Sequence, residues 1–218
     1  LSNHRDRELL SVAAFLEIAG VGFKAVQLEP CQTDPPDVIF RPVVSSQHRQ
    51  EDCAFEVTEL LDKDTKRNHE IYESFKAVEL TIRQGHSYED YVSQRNIVLN
   101  PKRAITFAAL FEFIKKRITA KNIKYRKRKM KTEDIDLLVN IQLNNLFMKP
   151  NEKIYSPDTP LIKEWRSISF LMESCCGVIY LSKHAPQVLR DIHRRGLIYV
   201  NNRPEIWDEM IQKLGLPY

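Results

Sequence analysis

The sequence predicts an α/β domain, a central mixed β-sheet flanked by helices, and three observations carry that expectation. A helical apolar pattern near the N-terminus is followed by three short runs rich in Val, Ile and Phe. A second, longer helical stripe precedes three more runs of the same kind. At 218 residues, with 43% hydrophobic and 28% charged side chains, the chain has the size and composition to bury one core. We therefore expect a single domain over residues 1–218, with no internal repeat and no low-complexity tract.

Taken in order, Leu9, Leu10, Ala13, Ala14 and Leu16 predict a helix from about Arg5 to Ala19, closed by Gly20. Phe23 to Leu28, Val38 to Arg41 and Ala54 to Leu61 predict three strands, with the polar interval Ser45 to Asp52 as a hairpin connection. His69 to Gln84 has helical spacing at Ile71, Phe75, Val78 and Ile82. Asn100 and Pro101 have the chemistry of a cap and first turn for a long helix. On that helix Phe107, Leu110, Phe111, Ile114 and Ile118 share one stripe, and no Gly or Pro stops it from running into the basic segment beyond. Ile135 to Ile141, Arg166 to Leu171 and Val178 to Ser182 predict further strands. Pro186 to Arg194 and Pro204 to Leu214 predict short helices, and Asn144 to Pro160, with three prolines, a long loop.

Charge is distributed unevenly. Lys115 to Lys131 holds ten basic residues and no acidic one, so a net charge of +4 conceals a body that is −6 without that segment. A single concentrated basic stretch on an acidic body points to one local site for an anionic partner. Lys115, Lys116, Lys121, Lys124, Arg126, Lys127 and Arg128 are candidates to neutralise nucleic-acid phosphates, with Tyr125 among them placed to stack on an exposed base. An anionic membrane fits less well, because the apolar stripe is needed for the core. No apolar run approaches the roughly 18 residues of a spanning helix, and the start carries no signal-peptide pattern. Cys31, Cys53, Cys175 and Cys176 lack the spacing of a zinc or redox motif and read as thiols in a reducing cytoplasm. The six histidines are scattered, and six glycines leave little room for a phosphate-cradling loop.

The sharpest functional signal is a pair of carboxylates, Asp37 entering the second strand and Glu56 within the third. Strand alternation places Cys53, Phe55 and Val57 on one face and Glu56 and Thr58 on the other. Two carboxylates held close repel each other and call for a cation, a shared proton or a basic neighbour. Magnesium or manganese suits such a pair, since these ions take oxygen ligands and leave coordinated waters for a substrate phosphate. A cation so held polarises a phosphodiester oxygen and makes water more nucleophilic. The plainer alternative has Asp37 capping a turn after two prolines and Glu56 facing solvent from an edge strand.

Asp37, Glu56 nineteen positions later, one hydrophobic residue and then a third site resemble the PD-(D/E)XK nuclease core. Arg5 through Glu8 to Gly20, Val21-Gly22-Phe23, Pro35-Pro36-Asp37-Val38 and Phe55-Glu56-Val57 are similar to a bacterial family of uncharacterised endonucleases placed in that superfamily. The likeness continues through Leu61-Asp62, Arg67 and His69, then more loosely over Lys124-Tyr125 and Ile135-Asp136-Leu137-Leu138, with its specificity in the first seventy residues. It implies a restriction-endonuclease-like core and metal-dependent hydrolysis of nucleic acid, DNA ahead of RNA, with Asp37 and Glu56 holding Mg2+ or Mn2+. Where the superfamily has a lysine that orients or activates the attacking water, this chain has Thr58. Thr58 is then expected to position the water and Lys66 or Arg67 to supply the charge. Glu8 matches the extra acid that the superfamily often carries on its first helix, with Glu17 as the alternative, and His69 would border the cleft. Many nucleases of this fold pair their active sites, so the resemblance also implies a homodimer. Two other readings remain open: a nuclease fold that binds nucleic acid without cutting it, and a protein-interaction module with a basic face.

Overall fold

The computed structural model describes residues 4–32, 35–42, 51–61, 103–142, 146–149, 151–172, 175–199 and 206–216. Along the chain these form α1 (His4–Ile18), β1 (Leu28–Pro30), β2 (Val38–Phe40), β3 (Cys53–Leu61) and β4 (Arg103–Ile105). Then follow α2 (Phe107–Lys127), β5 (Asp136–Gln142), β6 (Leu146–Met148), β7 (Ser167–Met172) and β8 (Cys175–Leu181). The last described elements are α3 (Gln187–Arg195), β9 (Ile198–Tyr199) and α4 (Ile206–Leu214). Seven strands make a mixed sheet in the order β1-β2-β3-β5-β7-β8-β9, and β4 pairs with β6 in a small separate ladder.

The sheet is antiparallel at both flanks and parallel in the middle, where β3, β5 and β7 run together. Parallel strands are covered on both faces, so they read as continuous apolar runs. β7 is buried along its whole length and β5 in all but its last residue. One core lies between the sheet and α1, α3 and α4, and includes Phe15, Phe40, Phe55 and Val57. The other lies under α2 and includes Phe107, Ile114, Leu137, Phe170 and Trp165. Cys176 joins the first core and Cys175 the second, as alternation of neighbouring strand residues requires. The four cysteines are free thiols. Among the described residues no helix is long and apolar enough to cross a membrane.

Two buried polar side chains of β5 are paired, which keeps their desolvation cost low. Asn140 Nδ2 donates to Ser11 Oγ at 2.9 Å, and Ser11 Oγ donates to the Arg7 carbonyl at 2.8 Å, tying β5 to α1. Asp136, fully buried at the start of β5, accepts from Arg166 Nε at 3.1 Å, from Ser167 Oγ at 2.8 Å and from the Ala54 N–H at 3.0 Å. Arg166 Nη2 adds a second bond to the same carboxylate. This clamp joins the starts of β3, β5 and β7.

Several boundaries differ from the sequence expectation. The first strand begins only at Leu28; Ala25–Gln27 is a 3-10 turn, closed by Gln27, whose side chain accepts from the Lys24 N–H and donates to the Arg41 carbonyl, both at 2.7 Å. Val26 there is 87% exposed, which an inward-facing strand position would not allow. The long helix starts at Phe107 with Thr106 as its cap, its hydroxyl accepting from Ala109 N–H at 3.3 Å, because residues Arg103–Ile105 are already committed to β4. Residues 144–160 contain the short strand β6 in addition to loop. The predicted helix over 69–84 and the Asn100–Pro101 cap lie outside the described residues.

Candidate active site

The site arises where β2 leaves β3. The last paired residues of that ladder are Val38 and Phe55, with Asp37 N–H donating to the Phe55 carbonyl at 2.8 Å. One step further, Asp37 stands beside Glu56. Pro35 and Pro36 carry no N–H and cannot extend the ladder, so the strands fork here and a cleft of about 450 Å³ opens along β3. Glu8, Asp37, Glu56, Val57, Thr58, Glu59, Lys121 and Lys124 are among its lining residues. All four residues expected to do the chemistry, Asp37, Glu56, Thr58 and Glu8, border this one cleft.

Glu56 is the most deeply placed of them, 1% exposed. Its Oε1 receives two donors from α2, the ammonium of Lys121 and the hydroxyl of Tyr125. Lys121 Nζ also lies 3.3 Å from the Val57 carbonyl oxygen. Glu56 Oε2 is buried and has no hydrogen-bond partner. Asp37 reaches the β3 backbone through Oδ2, which accepts the Val57 N–H at 2.8 Å. Burial pushes its carboxyl up to about 7; the charges of Glu56 and Glu8 add to that, while the Val57 N–H and Lys121 oppose it. Glu8 is paired with His4 at 2.7 Å across one helical turn.

Lys121 brings to this cleft the positive charge that the sequence analysis sought from Lys66 or Arg67. Lys66, Arg67 and His69 lie outside the described residues, and Thr58 is half-buried at the cleft wall. The signal for Lys121 was present in the spacing. The buried stripe Phe107, Leu110, Phe111, Ile114, Ile118 continues at the same interval through Lys121 to Tyr125, so the lysine sits where an apolar residue would be due.

The same observation corrects the expectation for Tyr125. It is 1% exposed, edge-to-face with Trp165 at 5.9 Å, and bonded to Glu56, so it is a core residue unable to stack on a base. The basic segment also meets acids: Glu112, one turn earlier on α2, faces Lys115 at 3.8 Å, and from elsewhere in the fold Glu164 pairs with Arg126 and Glu56 with Lys121. Arg117, Lys121, Lys124 and Arg128 recur at intervals of four, three and four residues and share one side of α2. Lys116, Lys127 and Arg128 are exposed on that helix and its end, and Lys124 lines the cleft.

A divalent cation would meet suitable donors here. The buried, unpartnered Oε2 of Glu56 lacks the bond its burial demands, and Asp37 adds a second carboxylate. Among the described residues no three His, Cys, Asp or Glu side chains form a ready-made metal cluster. Two carboxylates with waters and a backbone oxygen suit Mg2+ or Mn2+ more than a structural ion. A larger cleft of about 770 Å³ beside Glu51, Asp52, Glu133, Asp134 and Arg166 offers less, since those acids are exposed and Arg166 is engaged by Asp136.

The chain resembles a solved structure of a protein of unknown function from Pseudomonas aeruginosa strain PAO1, described as belonging to the monooxygenase superfamily. The TM-score is 0.61 at 20% identity, with 92% of this chain and 84% of that one covered, a likeness of fold alone. No curated protein matches. The family described as "Putative endonuclease, protein of unknown function (DUF1780)" matches residues 1–203, nearly the whole sequence, and the chain belongs to that family.

Proposed function

We propose that the protein is a metal-dependent endonuclease of the PD-(D/E)XK kind, with its motif lysine supplied by α2. The observation that carries this reading is the convergence of Lys121 on Glu56 and the Val57 carbonyl, beside Asp37. Asp37 and Glu56, with the Val57 carbonyl close by, would hold Mg2+ or Mn2+. When bound, the ion supplies Lewis-acid polarisation of a phosphodiester oxygen and a more nucleophilic water. Lys121, as an ammonium, would orient that water by donating to it and would offset the phosphate charge; Thr58, in the same wall, would help hold the water by hydrogen bonding. Glu8 adds negative charge on the Asp37 side. The basic side of α2, Lys124 and Arg128 with Arg117, would track the nucleic-acid backbone beyond the cleft, DNA ahead of RNA, giving affinity with little sequence information.

The test is cleavage of labelled single- and double-stranded DNA and RNA in Mg2+ or Mn2+ by the wild type, Asp37→Ala, Glu56→Gln and Lys121→Met. Cutting that needs the metal and is lost in all three variants supports the proposal. Binding of nucleic acid with no cutting and no cation uptake would replace it with the reading of a nuclease fold that has lost its chemistry. The absence of nucleic-acid binding even at low salt would favour a protein-interaction module.

A further inference from the structure

On the metal-site reading above, we infer that Tyr125 is a positioning residue that makes Glu56 a one-oxygen ligand and so biases the cleft toward a small six-coordinate cation. Both donors from α2, the Tyr125 hydroxyl and the Lys121 ammonium, end on Oε1, while Oε2 is buried without a partner. The two donors differ in freedom. Lys121 is 18% exposed on a flexible stem and can swing toward the cleft when a cation arrives. Tyr125 cannot, because its ring is buried edge-to-face against Trp165. Trp165 is fixed in turn: its indole N–H donates to Asn122 Oδ1 at 2.7 Å, and Asn122 Nδ2 donates to the Leu161 carbonyl at 3.0 Å. The hydroxyl therefore holds Oε1 whatever occupies the cleft.

Asp37 is tied in the same manner. Its Oδ2 is taken by the Val57 N–H at 2.8 Å. Each carboxylate thus keeps one oxygen that accepts no hydrogen bond among the described residues and so is the first open to a cation. Calcium takes six to eight oxygens in a loose shell and often uses both oxygens of a carboxylate, whereas magnesium keeps six ligands near octahedral, several of them water. Two single oxygens beside an open cleft match the smaller ion, and Tyr125 is what denies Glu56 its second.

The experiment is calorimetric titration of Mg2+, Mn2+ and Ca2+, each alone, into the wild type and Tyr125→Phe, a change that keeps the buried ring and removes only the hydroxyl. With Oε1 released, the Mg2+-to-Ca2+ affinity ratio should fall about tenfold, equivalent to about 1.4 kcal/mol. A folded Tyr125→Phe protein with an unchanged ratio overturns the inference while leaving the nuclease reading intact. A wild type that takes up none of the three ions removes the metal site itself. Should the variant fail to fold, infrared difference spectra of the wild type decide the matter. One-oxygen ligation of isotope-labelled glutamate widens the gap between its two carboxylate stretching bands on Mg2+ loading, and a narrow, two-oxygen pattern refutes the proposal.

Discussion

Asp37 and Val57 face each other across the fork between β2 and β3, joined by a 2.8 Å bond from the Val57 N–H to Asp37 Oδ2. That bond favours the charged carboxylate, yet burial and the nearby charges of Glu56 and Glu8 outweigh it and lift the group to about 7. Because the folded value is raised, the folded protein holds a proton that the unfolded chain has released between about pH 4 and pH 7. Stability from this group is complete below that window and is lost as pH rises through it, with a slope of at most about 1.4 kcal/mol per pH unit. Denaturant titrations of the metal-free protein across pH 4–8 should show the fall, and Asp37→Asn should flatten it.

Lys121 and Glu56 form an ion pair in which the acid is almost wholly buried. Lys121→Met keeps most of the aliphatic stem but leaves the carboxylate with its charge uncompensated. A loss of about 3 kcal/mol is expected from such a half-broken pair. A divalent cation would replace the missing charge, so added Mg2+ should raise the melting temperature of Lys121→Met by more than that of the wild type. Equal shifts would place the cation elsewhere.

The Asp136–Arg166 pair makes a contrasting prediction. It is as buried, but it borders no part of the cleft beside Glu56. Arg166→Ala should cost about 3–5 kcal/mol by stranding a buried carboxylate. Cation affinity of the protein that remains folded should stay within about twofold of wild type, a difference of roughly 0.4 kcal/mol. Chemical denaturation and metal titration on the same preparation separate the two quantities.

Nucleic-acid contacts are expected on the side of α2 shared by Arg117, Lys124 and Arg128. Reversing Lys124 and Arg128 to Glu should weaken binding of DNA of any sequence. The slope of log affinity against log salt should drop by about 2, close to one per lost phosphate contact. Fluorescence anisotropy over a range of KCl concentrations measures it; an unaltered slope would move the interface off this helix.

Much of this arrangement was legible in the sequence because its causes are local. Gly20 stops α1 at positive φ, as its placement after an apolar stripe indicated, and Gly215 does the same after α4. Alternation assigned Phe55 and Val57 to one core and Glu56 to the opposite face, as found. Long-range pairing was harder to read. Nothing in the residues around Gln27 announces that its side chain bonds to Arg41, fourteen positions away, and turns the chain before β1 begins. The link from Lys121 to Glu56 spans 65 positions. Its trace was a charged residue in a stripe of apolar ones, which a count of basic residues merges with the solvent-facing lysines around it. Tyr125 was misplaced for the same reason, since its neighbours in sequence are charged and its neighbours in space are Trp165 and Glu56.

Ala54, whose N–H ends on Asp136, lies two residues before Glu56. A slip of β3 by a single residue along β5 would exchange Glu56 for Phe55 or Val57, setting a carboxylate in the α1 core and an apolar side chain in the cleft. The Asp136 clamp opposes that slip from the start of the strand. It acts as the ruler from which the position of the cleft is measured, and because the Ala54 N–H reaches Asp136 independently of Arg166, that measure survives the loss of the arginine.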